Sequence, residues 1–264
     1  MNVLLTIVYL LSSNALLRKK YEILLNSLIK YAFMDTSPLD QEYERRLVED
    51  CLTIYSNQLT EFGYDGWIES ISAPHLPKLT SLSLGDANGM FRGEVGKALI
   101  TAGLNTIRKL KIIHHSNTGY PFTASLNLAG NWTIPNLETL HISHAHQDVT
   151  AKLIQTHSQT IKDLLVKETT PHLLENDILQ LPKLEKLNLE EVSHEIMEKI
   201  VRAGQNTLEL LDIVNIEMDL DSDLMEDCLH DCIEDMYKIL FIDYFNKMDI
   251  QLPNLKIGYF HSDL

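Results

Sequence analysis

Residues 181–192 read LPKLEKLNLEEV, with leucines at 184, 187 and 189. A helix stripe repeats every three to four residues and a strand alternates every two, so neither element alone produces this spacing. It fits a chain that turns a corner at Leu184 and continues as a short strand. Leu187 and Leu189 then point to one side of that strand, and Lys186, Asn188 and Glu190 to the other.

The phrase recurs. Residues 76–84 read LPKLTSLSL and residues 134–142 read IPNLETLHI. A second phrase alternates with it, as ITAGLNTI at 100–107, IQTHSQTI at 154–161 and VRAGQNTL at 201–208, at offsets of 54 and 47 residues. Reading the corner-and-strand triplet through both gives Leu59/Phe62/Tyr64, Leu79/Leu82/Leu84, Ile107/Leu110/Ile112, Leu137/Leu140/Ile142, Ile161/Leu164/Val166, Leu184/Leu187/Leu189, Leu208/Leu211/Ile213 and Tyr237/Leu240/Ile242. Successive first positions lie 20, 28, 30, 24, 23, 24 and 29 residues apart. A ninth copy at Leu255 is degenerate, with Gly258 in the second leucine position.

On these residues the chain resembles a leucine-rich repeat protein of the irregular, ribonuclease-inhibitor-like kind, which includes the F-box leucine-rich repeat proteins. The resemblance implies an α/β fold: a curved solenoid with short parallel strands on its concave face and helices and loops on its convex face. One repeat cannot bury its apolar face alone, whereas stacked neighbours can. Residues 57–264 are expected to form this repeat domain, with about eight to nine irregular repeats. Residues 1–56 are expected to be an N-terminal helical cap or degenerate first repeats.

The segments between strands read as return limbs. Ser193 is placed to cap a helix whose apolar face is Ile196, Ile200 and Val201, and Gly204 stands where a left-handed C-terminal cap would go. A helix from about 89 to 102 is expected to stop at Gly103 in the same way. His157 replaces the glycine in the middle copy, so its helix is expected to end differently. Thr170-Pro171 and the stretch 222–236 mark further helices. Upstream, 13–33 has apolar residues at helical spacing, as do Tyr43, Leu47, Val48, Cys51, Leu52 and Tyr55 after Ser37-Pro38.

Val3–Leu11 is an apolar run open to two readings, a buried strand, which leads, or the core of a signal peptide cut near Ser13-Asn14-Ala15. The run is far short of the roughly 20 residues a membrane span needs. With 22 basic against 37 acidic residues the net charge is -15, a field that repels phosphate backbones and argues against nucleic acid as a partner. Three cysteines (Cys51, Cys228, Cys232) suggest no disulfide framework and favour a reducing compartment, hence a cytoplasmic or nuclear location.

In this register the outward strand residues fall into two groups. Those of the first half are small and basic: Ser81, Ser83, Lys109, Lys111, Thr139, His141 and Ser143. Those of the later half include Leu165, Leu210, Val214, Ile239, Phe241, Ile257 and Tyr259, interleaved with Asp163, Lys186, Asn188, Glu190, Asp212 and Asp243. Exposed apolar side chains with a polar rim mark a partner-binding face. The bland alternative is a slipped C-terminal register, with these residues in the core. The candidate partner-binding residues are Leu165, Leu210, Asp212, Val214, Ile239, Phe241, Ile257, Tyr259, Lys109, Lys111 and His141.

No catalytic motif stands in the chain: there is no G-x-S-x-G, P-loop or H-E-x-x-H. His114 and His144 end consecutive strands, but no cysteine accompanies them, so surface histidines explain them better than a metal site. DLDSD at 219–223 imitates the start of a calcium loop, but Leu224 occupies the glycine position and His230 that of the final glutamate. Asn131-Trp132-Thr133 is a glycosylation sequon, which matters only to a secreted chain.

The expectation is a non-enzymatic, monomeric protein-recognition module with no cofactor, metal, nucleic-acid or membrane partner. Family resemblance adds the role of substrate receptor in an SCF-type ubiquitin ligase, with a Skp1-like adaptor as partner only if an F-box exists, and none is visible. The alternative is a secreted or cell-surface leucine-rich repeat protein that binds an extracellular ligand.

Overall fold

The computed structural model describes residues 41–65, 68, 70–86, 93–114, 132–143, 147–169, 179–214 and 245–261. The chain divides into two compact units, Met1–His157 and Ser158–Leu264.

The first unit contains helix α1 (Gln41–Tyr55), strands β1 (Glu61–Asp65) and β2 (Ser81–Asp86), helix α2 (Gly93–Ala102), strands β3 (Lys109–His114) and β4 (Thr139–Ser143), and helix α3 (Gln147–Thr156). The second contains β5 (Asp163–Thr169), β6 (Lys186–Val192), helix α4 (His194–Gly204), β7 (Leu210–Val214) and β8 (Ile257–His261). In each unit the strands pair in parallel and in chain order. The class is α/β, with a helix as the crossover wherever one is described between consecutive strands.

All eight described strands begin two residues after the first apolar residue of a triplet, and the seven triplets from Leu59 to Leu208 are buried. Pairing keeps equivalent positions together: Phe62, Leu82, Leu110 and Leu140 share one row of the first unit, and Leu164, Leu187, Leu211 and Gly258 one row of the second. Burying each such leucine contributes about 1.5–3 kcal/mol, so the repeat spacing is also the main source of stability. The triplet at Tyr237 lies outside the described residues. At the degenerate ninth copy Leu255 is half-buried and Gly258 exposed.

The corner is built in two ways. In the proline copies the N–H of the corner leucine donates to the carbonyl three residues back, from Leu79 to Leu76, Leu137 to Ile134, Leu184 to Leu181 and Leu255 to Leu252. These are turns with proline in the second position, where its fixed φ is already correct. In the glycine copies the corner residue donates to the glycine carbonyl, Ile107 to Gly103 and Leu208 to Gly204, both at 3.0 Å.

Every strand after the first in its unit starts on a shared acceptor. Two consecutive N–H groups donate to one carbonyl of the preceding repeat: those of 80 and 81 to Thr60, 108 and 109 to Thr80, 138 and 139 to Arg108, 185 and 186 to Lys162, 209 and 210 to Glu185, and 256 and 257 to Glu209. The donors come from the backbone, so the arrangement places no demand on the side chain at that position.

The helices follow their expected faces, with one correction. α4 starts on Ser193, whose Oγ accepts from the Ile196 N–H, and buries Ile196, Met197, Ile200 and Val201. α1 buries Val48, Cys51, Leu52 and Tyr55 and is tied to the following segment by the Ser72 N–H, which donates to Glu49 Oε1 at 2.7 Å. Burial pushes the Cys51 thiol pKa up to about 11, with Asp50 adding to the shift. The expected left-handed caps are absent: neither Gly103 nor Gly204 has a positive φ, and Gln205 after α4 is right-handed.

Glycine is required at 204 for space, because a Cβ there would come within 2.7 Å of Leu184 Cδ2 and 3.2 Å of Leu184 Cβ. At Gly103 the nearest atoms, on Ile107 and Leu79, lie at 3.1 Å. Helix ends in these limbs press directly on corner leucines. The expected helices at 13–33, at 170–171 and at 222–236 and the apolar run 3–11 lie outside the described residues.

Candidate functional site

Side chains that alternate away from the buried triplets make the open face of each ladder, in rows about 4.8 Å apart from strand to strand. In the second unit the pairing defines three rows: Asp163, Lys186, Leu210 and Ile257; Leu165, Asn188, Asp212 and Tyr259; and, with Lys167 and Glu190, Val214 and His261. The sequence-derived candidates Leu210, Asp212 and Val214 thus lie along β7, and Ile257 and Tyr259 beside them on β8.

Ile257 is 44% exposed and Tyr259 49%, the largest exposures among the described apolar residues, while Leu165, Leu210 and Val214 are half-buried. These residues are therefore outside the core, so the described part of the C-terminal register does not slip. Ile239 and Phe241 lie outside the described residues.

Polar groups on this face are held by one another. Asn188 Nδ2 donates to Asp212 Oδ2 at 2.9 Å, which fixes the carboxylate that the sequence marked as a candidate. Lys167 and Glu190 form a half-buried ion pair. Lys167 is not among the sequence-derived outward residues, although it occupies the seventh position of its repeat, as Glu190 and Val214 do in theirs. Extending the outward list by one strand position would have found it.

In the first unit the middle row runs Gly63, Ser83, Lys111 and His141, flanked by the row Glu61, Ser81, Lys109 and Thr139. Lys109 is exposed, and Lys111 and His141 are half-buried. Lys111 and His141 face each other directly across β3 and β4. This is a second, chemically different face. Its cations come from alternate residues of one strand, whereas the apolar group of the second unit comes from two strands.

Among the described residues no group of three His, Cys, Asp or Glu side chains is placed to hold a metal ion, and no helix is long and apolar enough to cross a membrane. His115, His144 and His146, the side chain of His114, and the acidic stretch at 217–235 lie outside the described residues. A hollow in the second unit is lined by Pro182, Lys199, Arg202 and Asn206, at the end of α4.

Models of known protein families, curated proteins and solved structures were each compared with the chain, and none of them matches it.

Proposed function

We propose that the chain is a leucine-rich repeat solenoid of the ribonuclease-inhibitor-like type that works by binding a protein on the open face of its strands, without catalysis. The observation that carries this reading is the cluster of Leu210, Ile257 and Tyr259: Leu210 and Ile257 are paired in register, and the two largest exposed apolar side chains of the second unit's sheet stand side by side. A solvated face has no need of such residues, whereas an interface uses them as anchors. Asp212, Asn188 and the Lys167–Glu190 pair supply a polar surround that selects partners by charge and geometry.

The role of substrate receptor in an SCF-type ubiquitin ligase is the more specific form of this proposal and rests on the repeat pattern alone. The test is affinity purification of the intact chain from its own cell type beside a Leu210→Asp/Tyr259→Asp variant. A partner recovered with the parent and lost with the variant supports recognition through this face, and equal recovery rejects it. A Skp1-like adaptor recovered with both chains supports the ligase role.

A further inference from the structure

We infer that the open face of β2, β3 and β4 is a docking site for an extended peptide that carries two anionic side chains two residues apart. The inference goes beyond the proposed function and stands on other residues, all in the first unit. Lys109 and Lys111 point outward from β3, between Ser81 and Ser83 on β2 and Thr139 and His141 on β4. No acidic residue stands among the described outward positions of these three strands; the first, Glu61, is on β1. Neither lysine forms an ion pair among the described residues, whereas neighbouring Arg108 is held by Glu138 at 2.9 Å.

The chain as a whole carries a net charge of -15, so a cationic strip framed by hydroxyl groups runs against its general field. Such a local reversal attracts an anion that the rest of the surface repels. Geometry narrows the ligand. Alternate residues of a strand lie roughly 6.7 Å apart, which sets the separation of the two ammonium groups at their base. An extended peptide with anions at alternate positions presents the same spacing. Ser81, Ser83 and Thr139 supply hydroxyl donors to the anions' remaining lone pairs. Carboxylates and phosphorylated side chains share this chemistry; a polyphosphate backbone would meet the repulsion of the whole chain.

The test is fluorescence anisotropy of the full chain with labelled glycine-serine decapeptides that carry, two residues apart, a pair of phosphoserines, a pair of aspartates or a pair of plain serines. Either anionic peptide is expected to bind and the neutral one not, and the better of the two identifies the source of the anion. Raising the salt from about 50 to about 300 mM should weaken binding. The variant Lys109→Ser/Lys111→Ser should weaken it about tenfold. Charge reversal in Lys109→Glu/Lys111→Glu should abolish it and create binding to a decapeptide with two lysines at the same spacing. The inference is overturned if neither anionic peptide binds, if the serine variant binds as the parent does, or if anions five residues apart or an oligothymidylate of equal charge bind as well. The Leu210→Asp/Tyr259→Asp variant is expected to bind these peptides normally, so failure here leaves the recognition surface of the second unit standing.

Discussion

His157 Nε2 accepts a hydrogen bond from the Ile134 backbone N–H at 2.9 Å, while its Nδ1 lies 2.9 Å from the Leu153 carbonyl to which it donates. In the glycine copies the equivalent N–H finds a backbone acceptor: Leu76 donates to the Ala102 carbonyl and Leu181 to the Ala203 carbonyl. The imidazole therefore stands in for a peptide carbonyl. That role requires the neutral tautomer with its proton on Nδ1.

Burial lowers the His157 pKa, opposed in part by its bond to Leu153. With the folded value below the unfolded one of about 6.5, the unfolded chain takes up the proton first as pH falls. The stabilising contribution is thus whole above about pH 6.5 and is lost below it, towards the folded value. The urea midpoint is expected to drop between about pH 7.5 and about pH 5.5, and to drop less in His157→Gln, whose amide does not titrate. An identical drop in both chains would show that His157 is not the group responsible.

Gly204→Ala and Gly103→Ala should differ, although both change glycine to alanine at a helix end. The new methyl group at 204 meets Leu184 at 2.7 Å, and Leu184 is fully buried, so the substitution should cost about 1–3 kcal/mol. At 103, just past the end of α2, the contacts are 3.1 Å, and the reduced freedom of the unfolded chain, about 0.4–1 kcal/mol, offsets most of the strain. Thermal or urea unfolding of the two variants decides this. Equal losses would mean that backbone conformation, and not the corner leucine, demands the glycine.

Leu187→Ala should destabilise the chain by about 2–5 kcal/mol, because Leu187 is wholly buried and stands between Leu164 and Leu211 in the ladder. Its neighbour Lys186 is exposed, and Lys186→Ala should stay within about 0.5 kcal/mol of the parent. Comparable effects at the two positions would contradict the assignment of inward and outward faces.

Thr207 Oγ1 donates to the carbonyl of the corner residue Leu184 at 2.8 Å, whereas Thr106 Oγ1 reaches only the Gly103 carbonyl of its own turn, at 3.1 Å, and the Leu76 carbonyl, at 3.4 Å. Thr207→Val is therefore expected to cost about 1 kcal/mol and Thr106→Val less. The order of the two unfolding midpoints is the measurement, and a reversed order would show that the threonines do not act through these bonds.

The corner and core positions were legible in the sequence because burial acts on residue type: a place with no access to water admits Leu, Ile, Val or an aromatic, and the period of those residues reports the backbone path. The helix face of α4 was legible for the same reason. Gly204 was legible as a necessary glycine, yet its reason was misread. A glycine chosen for contact with Leu184 looks in one dimension the same as one chosen for a left-handed φ. His157 gave only a negative signal, the absence of glycine, since its partner Ile134 stands 23 residues earlier. On the open faces the outward positions followed from the register, and the pairing of Asn188 with Asp212 and of Lys167 with Glu190 did not, because those bonds cross between repeats.

Among the described residues the carbonyls that each take two N–H groups belong to Thr60, Thr80, Arg108, Lys162, Glu185 and Glu209, four residue types among six places. A strand that slipped by one residue would break both bonds at once and turn its leucines outward. Alignment between neighbouring repeats is thus kept by the peptide groups, whichever side chains the strand displays. The outward residues are accordingly free to change one at a time, so that the chemistry of the open faces can be rewritten without re-specifying how the strands line up.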